Sequence, residues 1–215
     1  MNFNKLITIC LAVALMASCA TQDASKELDV EPDSDVLIDT FTAIAKPENP
    51  EAVSAPSSVK RDFKVVKEAM VEGKWAEAQA SLQAMLVDHP QLAGLYTNLA
   101  ITYSEQGELG EAEKAYKQAL LVNPYQFDAY SNLGLLLRQQ GRFDEAESTY
   151  LEALALWPHH QASLINLGVL YDLYMGKPKL ALPYFELAQK LNGDEPDRQL
   201  RTWIADVSRR AEVQQ

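Results

Sequence analysis

The sequence predicts an all-α protein: a solenoid of about four helix–turn–helix repeats, preceded by a disordered tether and followed by a C-terminal capping helix. Two observations support this fold class. A pattern of aromatic, small and apolar residues recurs with a period of 34 residues through the middle of the chain. Within each period the apolar residues lie three or four apart, which places them on one face of a helix.

The clearest copies span residues 93–126 and 127–160. The first carries the pattern at Tyr96, Leu99, Ala100, Tyr103, Gly107, Ala112, Tyr116, Ala119 and Pro124. The second carries it at Tyr130, Leu133, Gly134, Leu137, Gly141, Ala146, Tyr150, Ala153 and Pro158. We expect the glycine at the turn to end the first helix, since glycine adopts positive φ without a steric cost. The proline ends the second helix, and the close-packed alanines let the two helices approach each other.

This order of residues resembles the tetratricopeptide repeat (TPR) family, whose repeats stack into a right-handed solenoid. Extending the period in both directions predicts a solenoid over residues 59–195, with outer repeats at 59–92 and 161–195. In the last repeat the second helix arrives one residue late, which predicts an insertion in the turn at 175–178. An amphipathic helix starting near 194–196 is expected to cap the stack within residues 196–215, because an acidic residue and an early proline favour helix initiation there.

The amino terminus has the layout of a secretory signal peptide over residues 1–18, with Lys5 before a short apolar run. The run is too short to span a bilayer. Residues 16–19 resemble the bacterial lipobox, which implies that Cys19 becomes the first residue and carries diacylglycerol and palmitate. An ordinary signal peptide cut nearby is the alternative. Ala20 stands where an aspartate would imply inner-membrane retention, so the resemblance implies an outer-membrane protein facing the periplasm, with its lipid as the only membrane contact.

Residues 19–58 are acidic and rich in serine and proline, which is typical of a flexible tether. Apolar residues at helical spacing predict a short helix over residues 34–45. Two interpretations stay open for this segment: a nascent helix that does not remain folded, or a helix that covers the first repeat or occupies the groove of the solenoid.

Composition and motifs argue against several classes of function. A formal net charge of −11 argues against binding nucleic acid or anionic lipid surfaces. The three histidines, His89, His159 and His160, flank the prolines between repeats and lack a third ligand at metal spacing. No catalytic or phosphate-binding motif is present, so we expect no enzyme activity, no cofactor and no small-molecule substrate. The many glutamates, Glu147 among them, are expected on solvated outer faces.

A second 34-residue repeat, of polar residues, indicates a binding surface. Asn98, Asn132 and Asn166 each lie two places after a core residue, about 200° around the helix. In TPR proteins this is the concave side, where such a ladder can hold the backbone of an extended peptide through amide donors and acceptors. The predicted groove also contains Thr97, Ser131, Ile101, Leu135, Val169, Ser104 and Arg138. Asparagine is, however, common at this place in the family whether or not a peptide is bound.

Three functions remain compatible with these features. The first is a lipid-anchored adaptor or scaffold that binds an envelope protein, or an extended peptide segment of one, in its concave groove. The second is a pilotin-like assembly factor for an outer-membrane secretin or a type IV pilus machine. The third, an envelope enzyme with an atypical site, has no residue pattern in its favour.

Overall fold

The computed structural model describes residues 45–49, 53–193 and 197–213. Within these ranges the chain forms nine α-helices and no strand. Four hairpins pair α1 (Ser57–Val71) with α2 (Trp75–Asp88), α3 (Ala93–Glu105) with α4 (Leu109–Val122), α5 (Phe127–Gln139) with α6 (Phe143–Leu156), and α7 (Gln161–Val169) with α8 (Pro178–Leu191); α9 (Arg198–Val213) follows. The predicted all-α repeat fold is therefore confirmed. The predicted signal peptide, Cys19 and nearly all of the predicted helix 34–45 lie outside the described residues.

The turns inside the hairpins close as the glycine spacing predicted. Gly107 and Gly141 have φ values of 79° and 76°. The residue after each glycine donates its backbone N–H to a carbonyl of the preceding helix, with N···O distances of 2.9 Å for Glu108 to Tyr103 and 3.0 Å for Arg142 to Leu137. These bonds satisfy carbonyls that the helix end would leave unpaired.

The fourth hairpin departs from this pattern. Helix α7 continues as a π-helical turn over Leu170–Tyr174, in which the N–H of Met175 donates to the carbonyl of Leu170 at 3.0 Å. The prediction that the extra residue lies in the turn at 175–178 was wrong. A π-helical turn takes up one additional residue within the helix, so the turn to α8 keeps the length found in the other repeats.

The two helices of each hairpin approach closely because small residues stand at their contact. Ala112, Ala146 and Ala181 are each 0% exposed. A Cβ atom added to Gly134 would lie 2.3 Å from the ring of Tyr150, and the third repeat therefore leaves no room for a methyl group there. The ring fills the space that glycine leaves, which joins α5 to α6.

Helix α9 covers the end of the stack through both apolar and charged contacts. Its first turn is capped by Asp197, whose Oδ1 accepts the N–H of Gln199 at 2.8 Å. The predicted start near 194–196 lies outside the described residues. Arg210 donates both Nη atoms to the buried carboxylate of Asp172, with 2.8 Å between Nη2 and Oδ2. This bidentate pair ties α9 to the π-helical turn.

The first helices of the second, third and fourth repeats form a continuous layer. Helices that are consecutive in the sequence contact each other, and in addition α3 contacts α5 and α5 contacts α7. This layer is where the sequence placed the binding residues, and its free face positions the candidate site.

Candidate peptide-binding groove

The free face of the first helices carries a polar and an apolar row. The asparagines Asn98, Asn132 and Asn166 are all half-buried, and so are the aliphatic residues three places later. Residues three apart on a helix share a face, so the second, third and fourth repeats each contribute one amide and one aliphatic side chain. The aliphatic row consists of Ile101, Leu135 and Val169. Together the two rows define what we call the ladder groove.

Hydrogen bonds fix the orientation of two of the amides. Asn98 donates from Nδ2 to the carbonyl of Gly94 at 2.7 Å, and Asn132 donates to the carbonyl of Asp128 at 2.9 Å. Each bond spans one helical turn, which holds the side chain against its own helix. Neither side-chain oxygen accepts a hydrogen bond from any residue that the structure describes. The ladder therefore presents acceptors in fixed positions.

Thr97 and Ser131, predicted beside the ladder, are not accessible there. Their residues are only 3% and 9% exposed. Thr97 donates from Oγ1 to the carbonyl of Ala93 at 3.2 Å, within its own helix. One residue before the asparagine is about 100° away around the helix, and that direction faces the neighbouring helices. This part of the predicted groove needs correction, because both hydroxyls belong to the packed layer beneath it.

Ser104 and Arg138, predicted one turn further on, are half-buried. The guanidinium of Arg138 lies over the ring of Tyr174 in the next repeat, 5.1 Å from its centroid. Its Nε and Nη1 atoms are buried without a hydrogen-bond partner among the described residues. Burial raises the pKa of the nearby Tyr150 to about 12, with the positive charge of Arg138 opposing the rise. Arg138 is thus a partly desolvated cation, and an anionic group in the groove would interact with it more strongly than with a solvated one.

Glu147 is not the solvated outer-face residue that the sequence suggested. Its Oε1 accepts the hydroxyl hydrogen of Tyr171, a residue that is 3% exposed. Burial and this carboxylate raise the pKa of Tyr171. Glu147 therefore links the third repeat to the fourth, because it satisfies a buried hydroxyl.

The histidines occupy the positions between repeats that the sequence assigned to them. His160 is buried, its Nδ1 lies 2.8 Å from Oγ of Ser163, and its ring packs against Phe127 and Trp157. Burial is the main cause that lowers its pKa to about 4. The imidazole is consequently neutral at physiological pH. Among the residues that the structure describes, no cluster of three or more His, Cys, Asp or Glu side chains is suited to a metal ion.

Three lysines of the first repeat were not included in the predicted groove. Subtracting 34 from the positions of Gly94, Asn98 and Ile101 gives Lys60, Lys64 and Lys67 on α1. All three are exposed. The same period that located the ladder was therefore a sufficient signal for this row, which we call the α1 lysine row.

The fold and this surface define a helical-repeat scaffold for protein interactions. The family profile described as "Tetratricopeptide repeat" matches residues 97–161, and the solved structures that resemble the chain include TPR proteins. Residues 97–161 therefore carry tetratricopeptide repeats, and the chain is similar to TPR proteins over a wider range.

The chain is similar to three solved structures in particular. PilF of Pseudomonas aeruginosa is 26% identical, with a TM-score of 0.62 over 72% of this chain and 69% of PilF. MamA is 26% identical, with a TM-score of 0.55 over 64% of this chain and 80% of MamA. A thermophilic TPR protein of Thermus thermophilus shares the fold at 24% identity, with a TM-score of 0.61 over 71% of this chain and 82% of that chain. No curated protein matches the sequence.

Proposed function

We propose that the chain is a lipid-anchored TPR adaptor that binds an extended segment of a cell-envelope protein in the ladder groove. The observation that carries the proposal is the regular alternation of Asn98, Asn132 and Asn166 with an aliphatic row on one half-buried face. Two of the amides are oriented by hydrogen bonds to their own helices. Their side-chain oxygens accept no hydrogen bond from any described residue.

This arrangement suits an extended backbone. A peptide in extended conformation exposes N–H and C=O groups along its length, and an amide side chain can accept from one and donate to the other. The aliphatic row offers apolar surface to side chains of the same segment. Recognition through the backbone depends little on the sequence of the ligand, so side-chain contacts elsewhere in the groove must supply selectivity.

The proposed location is the periplasmic face of the outer membrane. Support comes from the sequence at 16–19, where acylation of Cys19 would attach a chain whose described helices include none long and apolar enough to cross a bilayer. The acidic stretch before the first repeat would hold the groove away from the lipid surface. Membrane contact would occur through the lipid alone.

The pilotin-like alternative uses the same groove and differs only in the partner. An outer-membrane secretin or a pilus subunit bound in the ladder groove would support that alternative, whereas another envelope protein would support a general adaptor. Capture of the partner therefore separates the two functions.

Site-specific photo-crosslinking in intact cells tests the proposal. A photoreactive phenylalanine analogue replaces Leu135, in the aliphatic row of the groove, in one variant and Ser148, an exposed residue of α6, in the control. We expect the analogue at 135 to crosslink one or a few envelope proteins through an extended segment, identified by mass spectrometry, and the analogue at 148 to give no such crosslink. Equal crosslinking at both positions, or none at 135, would contradict binding in the ladder groove.

A further inference from the structure

A pocket of about 300 Å³ opens at the end of the ladder groove, where the first helices of repeats one and two begin. Its walls include the apolar side chains of Phe63, Leu95 and Val122, and its rim includes Lys60 and Asn98. Ligand pockets commonly have volumes of about 300–1,000 Å³, so this one suits a single large side chain. Because Asn98 belongs to the ladder, a peptide on the ladder passes the pocket.

Gly94 contributes no side chain to the wall of this pocket. Gly94 is the second residue of α3 and lines the pocket. A Cβ atom added there would meet no atom within 4 Å, whereas one added to Gly134 or Gly168 would collide with an aromatic ring. Packing against an aromatic ring thus explains Gly134 and Gly168 but not Gly94, and the space beside Gly94 is open.

The α1 lysine row lies directly beside this pocket. Lys60 is on the pocket rim, and Lys64 and Lys67 follow it along the same face of α1. Lys60 and Lys67 form no ion pair with any described residue, and Lys64 reaches Glu68 only at 3.9 Å with both side chains exposed. On a chain of net charge −11, three adjacent exposed lysines make a local basic surface that complements carboxylates.

We propose that the pocket and the α1 lysine row bind an acidic segment of the protein partner, with one large apolar side chain in the pocket and its flanking carboxylates on the lysines. This inference rests on the proposed function and names the chemistry of the segment that the groove selects. The apolar side chain supplies affinity through burial, and the lysines select for acidic neighbours and accelerate encounter.

Four synthetic fluorescent peptides provide the probe. They are octapeptides that differ only in a central Phe or Ala and in flanking Asp and Glu or Asn and Gln residues. Their affinity for the full-length chain in detergent is measured by fluorescence anisotropy at low and high salt. We expect the acidic Phe peptide to bind at least tenfold more tightly than either peptide with a single change. The gain in affinity from the acidic flanks should shrink at high salt.

Paired variants of the protein locate the site. Gly94→Leu fills the pocket and should weaken the acidic Phe peptide at least tenfold, whereas Gly110→Leu, at the second position of α4 and also without neighbours within 4 Å, should not. The double change Lys60→Gln with Lys64→Gln should reduce affinity about fivefold at low salt, and Lys177→Gln in the fourth repeat should leave it unchanged. Thermal melting checks that every variant is folded.

Three results would overturn the proposal. The first is equal binding of all four peptides, or no binding at all. The second is full affinity in the Gly94→Leu and lysine variants combined with loss in Asn132→Ala; the groove would then bind peptides without this pocket, and the proposed function would stand. The third is binding that appears only after residues 27–44 are deleted, since that would assign the site to the chain's own acidic segment.

Discussion

Replacing Gly134 with alanine tests the packing on which the repeat geometry depends. The added methyl carbon would lie 2.3 Å from Cε1 and 2.5 Å from Cζ of Tyr150, far inside ordinary contact distance. Tyr150 is 0% exposed, so its ring has no free space to enter. Overpacking of this kind costs about 1–3 kcal/mol, and the better helix propensity of alanine returns about 0.5–1 kcal/mol. We expect a net loss of about 1–2 kcal/mol in the free energy of unfolding.

The second repeat indicates that alanine fits such a site without a larger loss, because it carries Ala100 at the equivalent place, in the same buried cluster as Tyr116. Thermal unfolding followed by circular dichroism should show a decrease in Tm of about 2–8 °C for Gly134→Ala. Gly94→Ala is the matched control: its new methyl group meets no atom within 4 Å, so we expect an unchanged or slightly increased Tm. A Gly134→Ala protein as stable as wild type would refute the close approach of α5 and α6.

Three further predictions follow from the fold and the amino terminus. Ala146→Leu should cost about 1–3 kcal/mol in chemical denaturation, whereas Ala155→Leu on the exposed face of the same helix should be nearly neutral; equal effects would contradict the assigned register. Below pH 6.5 the unfolded chain protonates His160 while the folded chain does not until about pH 4, so stability should fall as pH falls through this window, and His160→Gln should flatten that slope in urea titrations. Under the proposed lipid anchor, Cys19→Ser should release a folded protein from the membrane fraction; a mutant that stays with membranes after a salt wash would argue against that anchor.

The period of 34 residues predicted the repeat fold because each repeat packs the same apolar positions in the same way. Gly107 and Gly141 end their helices with positive φ as the spacing required. The π-helical turn at Leu170–Tyr174 was not predictable in the same way. The sequence shows that one extra residue is present, but a turn and a helix can both absorb it, and the choice depends on contacts such as the pair of Asp172 with Arg210.

The sequence predicted those residues of the candidate site that recur with the 34-residue period. It did not predict the residues whose burial or hydrogen bonding depends on side chains of other helices. The asparagine and aliphatic rows keep the 34-residue period and are half-buried. Thr97 is buried by neighbouring helices, which its position in one helix does not reveal. Glu147 looked like a solvated charge because its partner, Tyr171, lies on another helix. The pocket beside Gly94 is also lined by Asn49 and Val53, which precede the first repeat and follow no period.

The affinity of the captured partner for Asn132→Ala tests the central claim most directly. Asn132 is the middle rung of the ladder and is half-buried, so folding depends little on its side chain. A bound backbone would shield the amide from water, and an unmet hydrogen bond in a shielded site costs about 1–3 kcal/mol. Calorimetry should therefore show affinity about 5- to 150-fold weaker for Asn132→Ala, with an unchanged Tm and full affinity for Ser148→Ala. Binding of Asn132→Ala as tight as wild type would contradict recognition in the ladder groove.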